Sequence, residues 1–199
     1  YADDEVNIDG GIGIYATLND LTLVTLKNNN KTPTVLTDDV SYMGLRIDGL
    51  AAELVGIDGL TFGIFDGVVL VNQAKATDPL ATPTKIDWTN FGTGKQGMTI
   101  PLLTDVDGNI DLHIEGSVAL DAFGVLVAKG SFAVTLGEVT DPGPDTLFDT
   151  ADDVTYQALS LQLGANAHAT ASPIEVFIGV GGDGDDFPPL PQFNKQLFR

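Results

Sequence analysis

Hydrophobic and polar side chains alternate along one long stretch of the chain, residues 112–136. Its even positions, which begin with Leu112 and Ile114 and end with Leu136, carry aliphatic side chains, glycine, alanine and one phenylalanine. Its odd positions carry most of the polar side chains. An alternation with a period of two predicts β-strand with one buried face. We therefore expect the even-numbered side chains to face the core.

A single straight strand over this stretch would be roughly 80 Å long, which is too long for a domain of this size. The chain must therefore bend, and Gly116, Gly124 and Gly130 are the natural places for the bends. A two-residue hairpin turn would reverse the parity, because residues i and i+3 then share a face. Parity that persists through several bends predicts β-arcs or coiled, solenoid-like strands.

Shorter alternating runs predict further strands at residues 12–18, 21–26, 40–74 and 154–180. Within these runs Phe62, Ile64, Val68 and Leu70 have one parity, which predicts that they share a face. Helical periodicity is almost absent. The predicted fold class is all-β, with a β-solenoid-like or stacked β architecture; the alternative is an antiparallel β-sandwich or jelly roll.

The length fits one all-β domain over residues 1–186, followed by an extended tail over residues 187–199. A weak internal repeat relates residues 39–74 to residues 153–180, which predicts related β units that close a common core. The tail combines prolines with apolar side chains. It is predicted either to pack on its own domain or to dock on a neighbouring subunit as an added strand.

The charge of the chain narrows the possible partners. With 28 acidic and 9 basic residues, the formal net charge is −19, which argues against binding to nucleic acid or to anionic membrane surfaces. No stretch approaches the roughly 20 apolar residues of a membrane helix, so no membrane insertion is predicted. The chain has no cysteine, which excludes a disulfide scaffold and a thiolate metal site. An acidic surface is compatible with bound cations.

The first candidate cation site is the segment 105–111. It places Asp105, Asp107, Asn109 and Asp111 at alternating positions around a glycine turn. Hard oxygen ligands around a sharp turn are what Ca²⁺ requires, although the bidentate glutamate of an EF-hand loop is missing. The alternative is a solvated hairpin turn.

The second candidate cation site is the segment 141–153, in which proline and glycine force turns. Its five carboxylates would repel one another without counter-ions. The predicted ligands are Asp141, Asp145, Asp149, Asp152 and Asp153. Calcium is therefore the predicted cofactor at both acidic segments.

The segment 141–153 resembles the Gly-Pro-Asp-Gly-x-Phe-Gly-Thr-Ala-Asp-Asp stretches between β modules of large bacterial surface and secreted proteins, with Thr146 and Asp149 in place of two glycines. The segments 54–62, 69–74 and 114–120 are similar to strands in the repeat units of giant, adhesin-like bacterial extracellular proteins. The resemblance implies calcium association at the acidic stretch, a secreted or cell-surface location and an adhesive or architectural role. It implies no catalytic residues.

No motif for catalysis is present. The only histidines, His113 and His168, lie outside any ligand-spaced motif, and no P-loop, dinucleotide fingerprint or nucleophile elbow occurs. The chain is therefore predicted not to be an enzyme. The predicted function is a structural subunit that self-associates into a fibre, sheet or stalk, as a homopolymer or tandem array, braced by calcium.

The alternative function is a carbohydrate- or surface-binding module. Exposed aromatic side chains would stack on sugar rings, and the candidates are Tyr15, Tyr42, Trp88 and Tyr156.

Overall fold

A computed structural model describes residues 10–32, 34, 36–91, 97–101 and 103–181. Within these residues the chain forms eight strands: β1 (Gly13–Thr17), β2 (Asp20–Asn28), β3 (Val40–Val55), β4 (Leu60–Ala76), β5 (Ile110–Ala122), β6 (Leu126–Asp141), β7 (Val154–Leu163) and β8 (Glu175–Ile178). A short 3-10 helix, Leu36–Asp38, precedes β3. The strands confirm the all-β prediction, and β1 and β2 lie where the alternation places them.

All eight strands form one open antiparallel sheet in the order β1-β3-β4-β5-β6-β7. The short strands β1 and β2 both pair with β3 at one edge, and β7 and β8 both pair with β6 at the other edge. The solenoid-like or stacked architecture is therefore wrong, because every pairing in the sheet is antiparallel and long strands replace short coils. The sheet is consistent with the antiparallel alternative.

The long alternating stretch is one hairpin with a single bend. Strands β5 and β6 are joined by residues 123–125, and Ala122 pairs with Leu126. A three-residue turn preserves parity, because residues i and i+4 then face each other. The turn has positive φ at Phe123 (58°) and Gly124 (63°), and the Gly124 amide donates to the Asp121 carboxylate. The predicted bends at the other two glycines are wrong, since both lie inside strands.

Two β-bulges change the parity of β3 and β4. The pairing between these strands shifts between Ile47 and Leu50, beside Gly49 (φ 62°), and the pairing of β4 with β5 shifts at Asp66 (φ 53°). Each bulge adds a residue and reverses which side chains face each side of the sheet. Phe62 and Leu70 therefore lie on opposite faces, contrary to the parity argument.

One face of the sheet is covered by the chain between β4 and β5. Trp88, which is 1% exposed, packs there with Leu103 and Val106 against Val24 and Leu70. The sequence indicates no core in this segment, because it has no strand or helix periodicity. We call this side of the sheet the Trp88 face.

The same side of the β5–β6 hairpin is covered by the turns between β7 and β8. Ser131 contacts Ser117 Oγ at 2.8 Å, and its hydroxyl accepts from the Ser172 amide at 2.8 Å. The odd-numbered side chains on this side are small, so the backbone of the covering turns can approach the hairpin closely. The buried ones are Ser117, Ala119, Ser131 and Ala133. The prediction that the even face is the buried one is therefore wrong for this hairpin.

All described strands belong to one sheet, and the two related segments begin β3 and β7. The segment 39–74 supplies two central strands, whereas the segment 153–180 supplies strands at the edge. The predicted tail at 187–199 lies outside the described residues, so its two alternatives stay predictions.

Candidate functional site

The side of the sheet opposite Trp88 carries rows of aliphatic side chains, because directly paired residues of antiparallel strands share a face. One row crosses six strands through Leu23, Leu45, Val71, Leu112, Leu136 and Leu159. The next row crosses the same strands through Leu21, Ile47, Val69, Ile114, Val134 and Leu161. We call this side of the sheet the apolar face.

None of the side chains in these two rows is buried. Those on β3, β4 and β5 are half-buried by their neighbours, as is Val134 on β6, whereas Leu136 on β6 is exposed. Those on β2 and β7 are exposed, with Leu159 69% and Leu161 57% exposed. The face continues toward the β5–β6 turn through a shorter row, formed by Phe62, Leu120, Ala128 and Val176. In a chain with a net charge of −19, neither six-strand row contains a charged residue.

Charged side chains appear where the apolar face ends. At one corner a shallow groove contains Lys27 and Lys75 beside Gln73. Lys27 pairs with the buried Asp39 at 2.6 Å, and Lys75 is exposed. Toward the opposite edge, Glu138 on β6 accepts a hydrogen bond from Gln157 on β7 at 3.0 Å. The rim of the face thus has a basic corner and an acidic corner.

The first predicted calcium segment, 105–111, has its carboxylates engaged by different partners. Asp105 pairs with Arg46 Nε at 3.1 Å, and Asp111 pairs with Lys85 Nζ at 2.7 Å. The Asp107 carboxylate accepts from the amide of Asn109 at 2.7 Å. These carboxylates do not converge on one point, and their arrangement is that of a turn fixed by side chains from β3 and the chain after β4.

Arg46 is held in its charged form by this arrangement. Its partial burial would lower its pKa, but the hydrogen bond to Asp105 and the charge of Asp48 outweigh that effect and raise the pKa above its ordinary value. The guanidinium therefore ties the 105–111 turn to β3 throughout the pH range in which carboxylates are ionised.

The second predicted calcium segment, 141–153, brings several of its oxygens together around one hydroxyl. Thr150 Oγ1 lies 2.8 Å from Asp152 Oδ1, 3.1 Å from Asp153 Oδ1 and 3.5 Å from Asp145 Oδ1. It also lies 3.2 Å from the Leu147 carbonyl oxygen. A hydroxyl has one hydrogen, so it can donate to only one of these four acceptors.

Backbone amides satisfy much of the remaining carboxylate capacity of this loop. Asp153 Oδ2 accepts from the Asp149 amide at 2.7 Å, and Asp141 Oδ1 accepts from the Gly143 amide at 2.9 Å. Thr146 (φ 59°) and Asp149 (φ 65°) adopt the left-handed conformation that glycine favours. These are the two positions at which the resembling bacterial stretches carry glycine.

The pKa of Asp152 is lowered from its ordinary value of 3.8, chiefly by the hydrogen bond from the Thr150 hydroxyl. The loop therefore favours the ionised carboxylate. Within the residues that the structure describes, no group of three or more His, Cys, Asp or Glu side chains is arranged to hold a metal ion. Calcium at both segments stays a prediction, and binding at 141–153 would require the carboxylates to draw closer around the position of the hydroxyl.

The aromatic residues proposed for sugar stacking differ in exposure, and Tyr15 on β1 is half-buried. Trp88 is buried, and its Nε1 donates to Asn72 Oδ1 at 2.9 Å, so it forms part of the core and is not available as a sugar platform. Tyr42 is half-buried and packs against the same core. Tyr156 is exposed on β7. The prediction that Trp88 contacts a ligand is therefore wrong.

The two histidines are part of the sheet packing. His113 Nδ1 lies 2.7 Å from Thr135 Oγ1 on the paired strand, and His168 Nε2 lies 3.2 Å from the Gly116 carbonyl oxygen. Each imidazole thus joins neighbouring parts of the Trp88 face. In the described ranges no helix is long and apolar enough to cross a membrane.

The apolar face is the feature that sequence reasoning missed. The alternation identifies its members in β5 and β6, but it does not tell which of two faces the rest of the chain covers. No family model, curated protein or solved structure matches this chain.

Proposed function

We propose that this chain is a structural, adhesive subunit of the cell exterior, which assembles with other protein copies into a fibre, sheet or stalk. The observation that supports this proposal is the apolar face, whose two six-strand rows are aliphatic throughout and not buried. Exposed apolar surfaces larger than a few hundred Å² mark interaction sites in folded proteins. Covering this face with another protein surface removes its apolar side chains from water, which lowers the free energy.

The acidic loops fit an extracellular setting in which divalent cations are abundant. In the proposal, Ca²⁺ takes the oxygens that now converge on Thr150, and draws Asp145, Asp152 and Asp153 together. Carboxylate, hydroxyl and carbonyl oxygens are the ligands that this hard cation prefers. Bound calcium would stiffen the connection between β6 and β7 at the edge of the sheet.

Electron microscopy and sedimentation of the purified chain, with Ca²⁺ and with EDTA, test this function. We expect assemblies of two or more chains whose melting temperature falls when EDTA removes the cation. Particles of one chain at every concentration, in both conditions, contradict the proposed assembly. If EDTA leaves the melting temperature unchanged, calcium is removed from the proposal. The assembly is then tested by the sedimentation mass alone.

A further inference from the structure

We propose that a second copy of this chain covers the apolar face, so that two sheets pack face to face into a β-sandwich. This inference rests on the proposed function and names the partner and the surface. The starting observation is that central residues such as Leu45, Val71 and Ile114 are only half-buried, although they lie in the middle of an eight-stranded sheet. Sheets usually bury such residues against a second layer about 10 Å away.

The size of the face fits a stable dimer. Six strands spaced about 4.8 Å apart, and the distance from Leu112 to Ala122 at about 3.3 Å per residue, give on the order of 1,000 Å². A stable protein interface needs about 800 Å² from each partner. The apolar face alone is therefore large enough to hold two copies together.

The described part of the chain does not supply the missing layer. Both loop regions that cover the sheet contact its other side, through Trp88 and through Ser131. The longest segment outside the described residues, 182–199, has 18 residues. Such a segment, fully extended, would span one or two strands of a second layer, whereas the face crosses six.

The distribution of charge permits two strongly acidic copies to meet here. The aliphatic rows hold no carboxylate, so the net charge of −19 resides elsewhere on the surface. A two-fold axis that lies between the sheets and runs along the strands exchanges the two edges of the face. It therefore brings the Lys75 corner of each copy toward the Glu138 corner of the other, which is electrostatically favourable.

The main test replaces one exposed residue of the face and its neighbour on the other side. In Leu161→Lys a charge enters the aliphatic row, and in Gln162→Lys the same charge lies one residue further on, facing away. Sedimentation should show at least about tenfold weaker association for the first variant, since burying a charge in an apolar interface costs well over 1.4 kcal/mol. The second variant should match the wild type within about twofold.

A second measurement does not depend on the stability of the charged variant. The chain has no cysteine, so Leu161→Cys and Gln162→Cys each introduce a single thiol. We expect a thiol reagent to modify Leu161→Cys more slowly as protein concentration rises, and Gln162→Cys at a constant rate. A thiol at 161 that is protected even in dilute monomer shows that the chain covers its own face, and overturns the inference.

Charge reversal tests the proposed two-fold axis. Lys75→Glu and Glu138→Lys should each weaken association by about two- to fivefold, and the double variant should recover it, because rim ion pairs contribute up to about 1 kcal/mol.

Assemblies that persist unchanged in Leu161→Lys overturn the face-to-face inference but leave the proposed function intact. Single chains at all concentrations overturn both.

Discussion

The two faces of the same sheet are built from different side chains. The Trp88 face combines small residues and glycine with a few large side chains supplied by loops, whereas the apolar face carries large aliphatic side chains in continuous rows. Gly44 illustrates the first kind, since the Trp88 ring lies directly over it. Leu159 illustrates the second. Small residues leave room for the chain's own loops, and rows of large ones form a flat surface suited to another sheet.

Asn72 shows how the covered face is fixed in one arrangement. Its amide donates to the carbonyl oxygens of Ile86 (2.8 Å) and Asp107 (2.6 Å), and its carbonyl oxygen accepts from Trp88 Nε1. Asn72 is fully buried, so these bonds replace the water that its amide loses on folding. The apolar face has no comparable polar anchor in its aliphatic rows, and we expect packing alone to hold its partner.

The largest effect should follow from removing the side chain that fills the covered face. Trp88→Ala should lower the free energy of unfolding by about 3–5 kcal/mol, because it leaves a cavity and an unpaired Asn72 oxygen. Chemical denaturation measures this change. Phe148→Ala, at an exposed aromatic residue, is the control and should change stability little. Equal effects of the two substitutions would contradict the assignment of Trp88 to the core.

A matched pair of leucines sharpens the comparison. Leu70 on the Trp88 face is 4% exposed, whereas Leu159 on the apolar face is 69% exposed. Leu70→Ala should lower the free energy of unfolding by about 2–5 kcal/mol, and Leu159→Ala by less than about 0.5 kcal/mol. Both are measured in solution dilute enough to keep chains separate. A large loss in Leu159→Ala under these conditions would show that the apolar face is covered within one chain.

Close packing over Gly44 gives a smaller effect. A Cβ atom there would lie 2.6 Å from Leu103 Cδ1 and 2.8 Å from Trp88 Cε2, so these side chains must shift. Gly44→Ala should cost about 1–3 kcal/mol. Gly13→Ala in β1, where a Cβ meets nothing within 4 Å, is the control in a thermal melt. The prediction fails if the two variants have the same melting temperature.

The smallest effect concerns the acidic loop and its pH dependence. The Thr150 hydroxyl lowers the pKa of Asp152 in the folded chain below 3.8. The resulting stabilisation is present above the unfolded pKa and is lost as pH falls through the folded one. In Thr150→Val the Asp152 pKa should move up toward 3.8, as measured by NMR titration of the carboxyl carbon. Thr155→Val on β7, outside the loop, should leave it unmoved.

The sequence predicts the strands well, since alternation depends on local parity. It does not predict how strands connect, because a three-residue turn at Gly124 preserves the same parity as a solenoid corner. The bulges at Gly49 and Asp66 are equally hidden, since each changes parity inside a continuous apolar run. They explain why Val68 and Leu70 lie on the Trp88 face, whereas Phe62 and Ile64, which have the same parity, lie on the apolar face.

The acidic segments were predictable as turns, but their partners were not. Asp105 and Asp111 meet Arg46 and Lys85, which are distant in sequence and come close only when the sheet forms. In the loop 141–153, by contrast, the contacts to Thr150 are local. Local contacts can be inferred from spacing, and long-range ion pairs cannot.

The most direct test of the account is the mass of the unmodified chain in solution as its concentration is raised. If the apolar face belongs to a second copy, sedimentation should show a change from the single-chain mass of 20.9 kDa to twice that value. In Leu161→Lys the same change of mass should require at least about tenfold higher concentration. A wild-type chain that keeps its single mass at the highest soluble concentration would contradict the account.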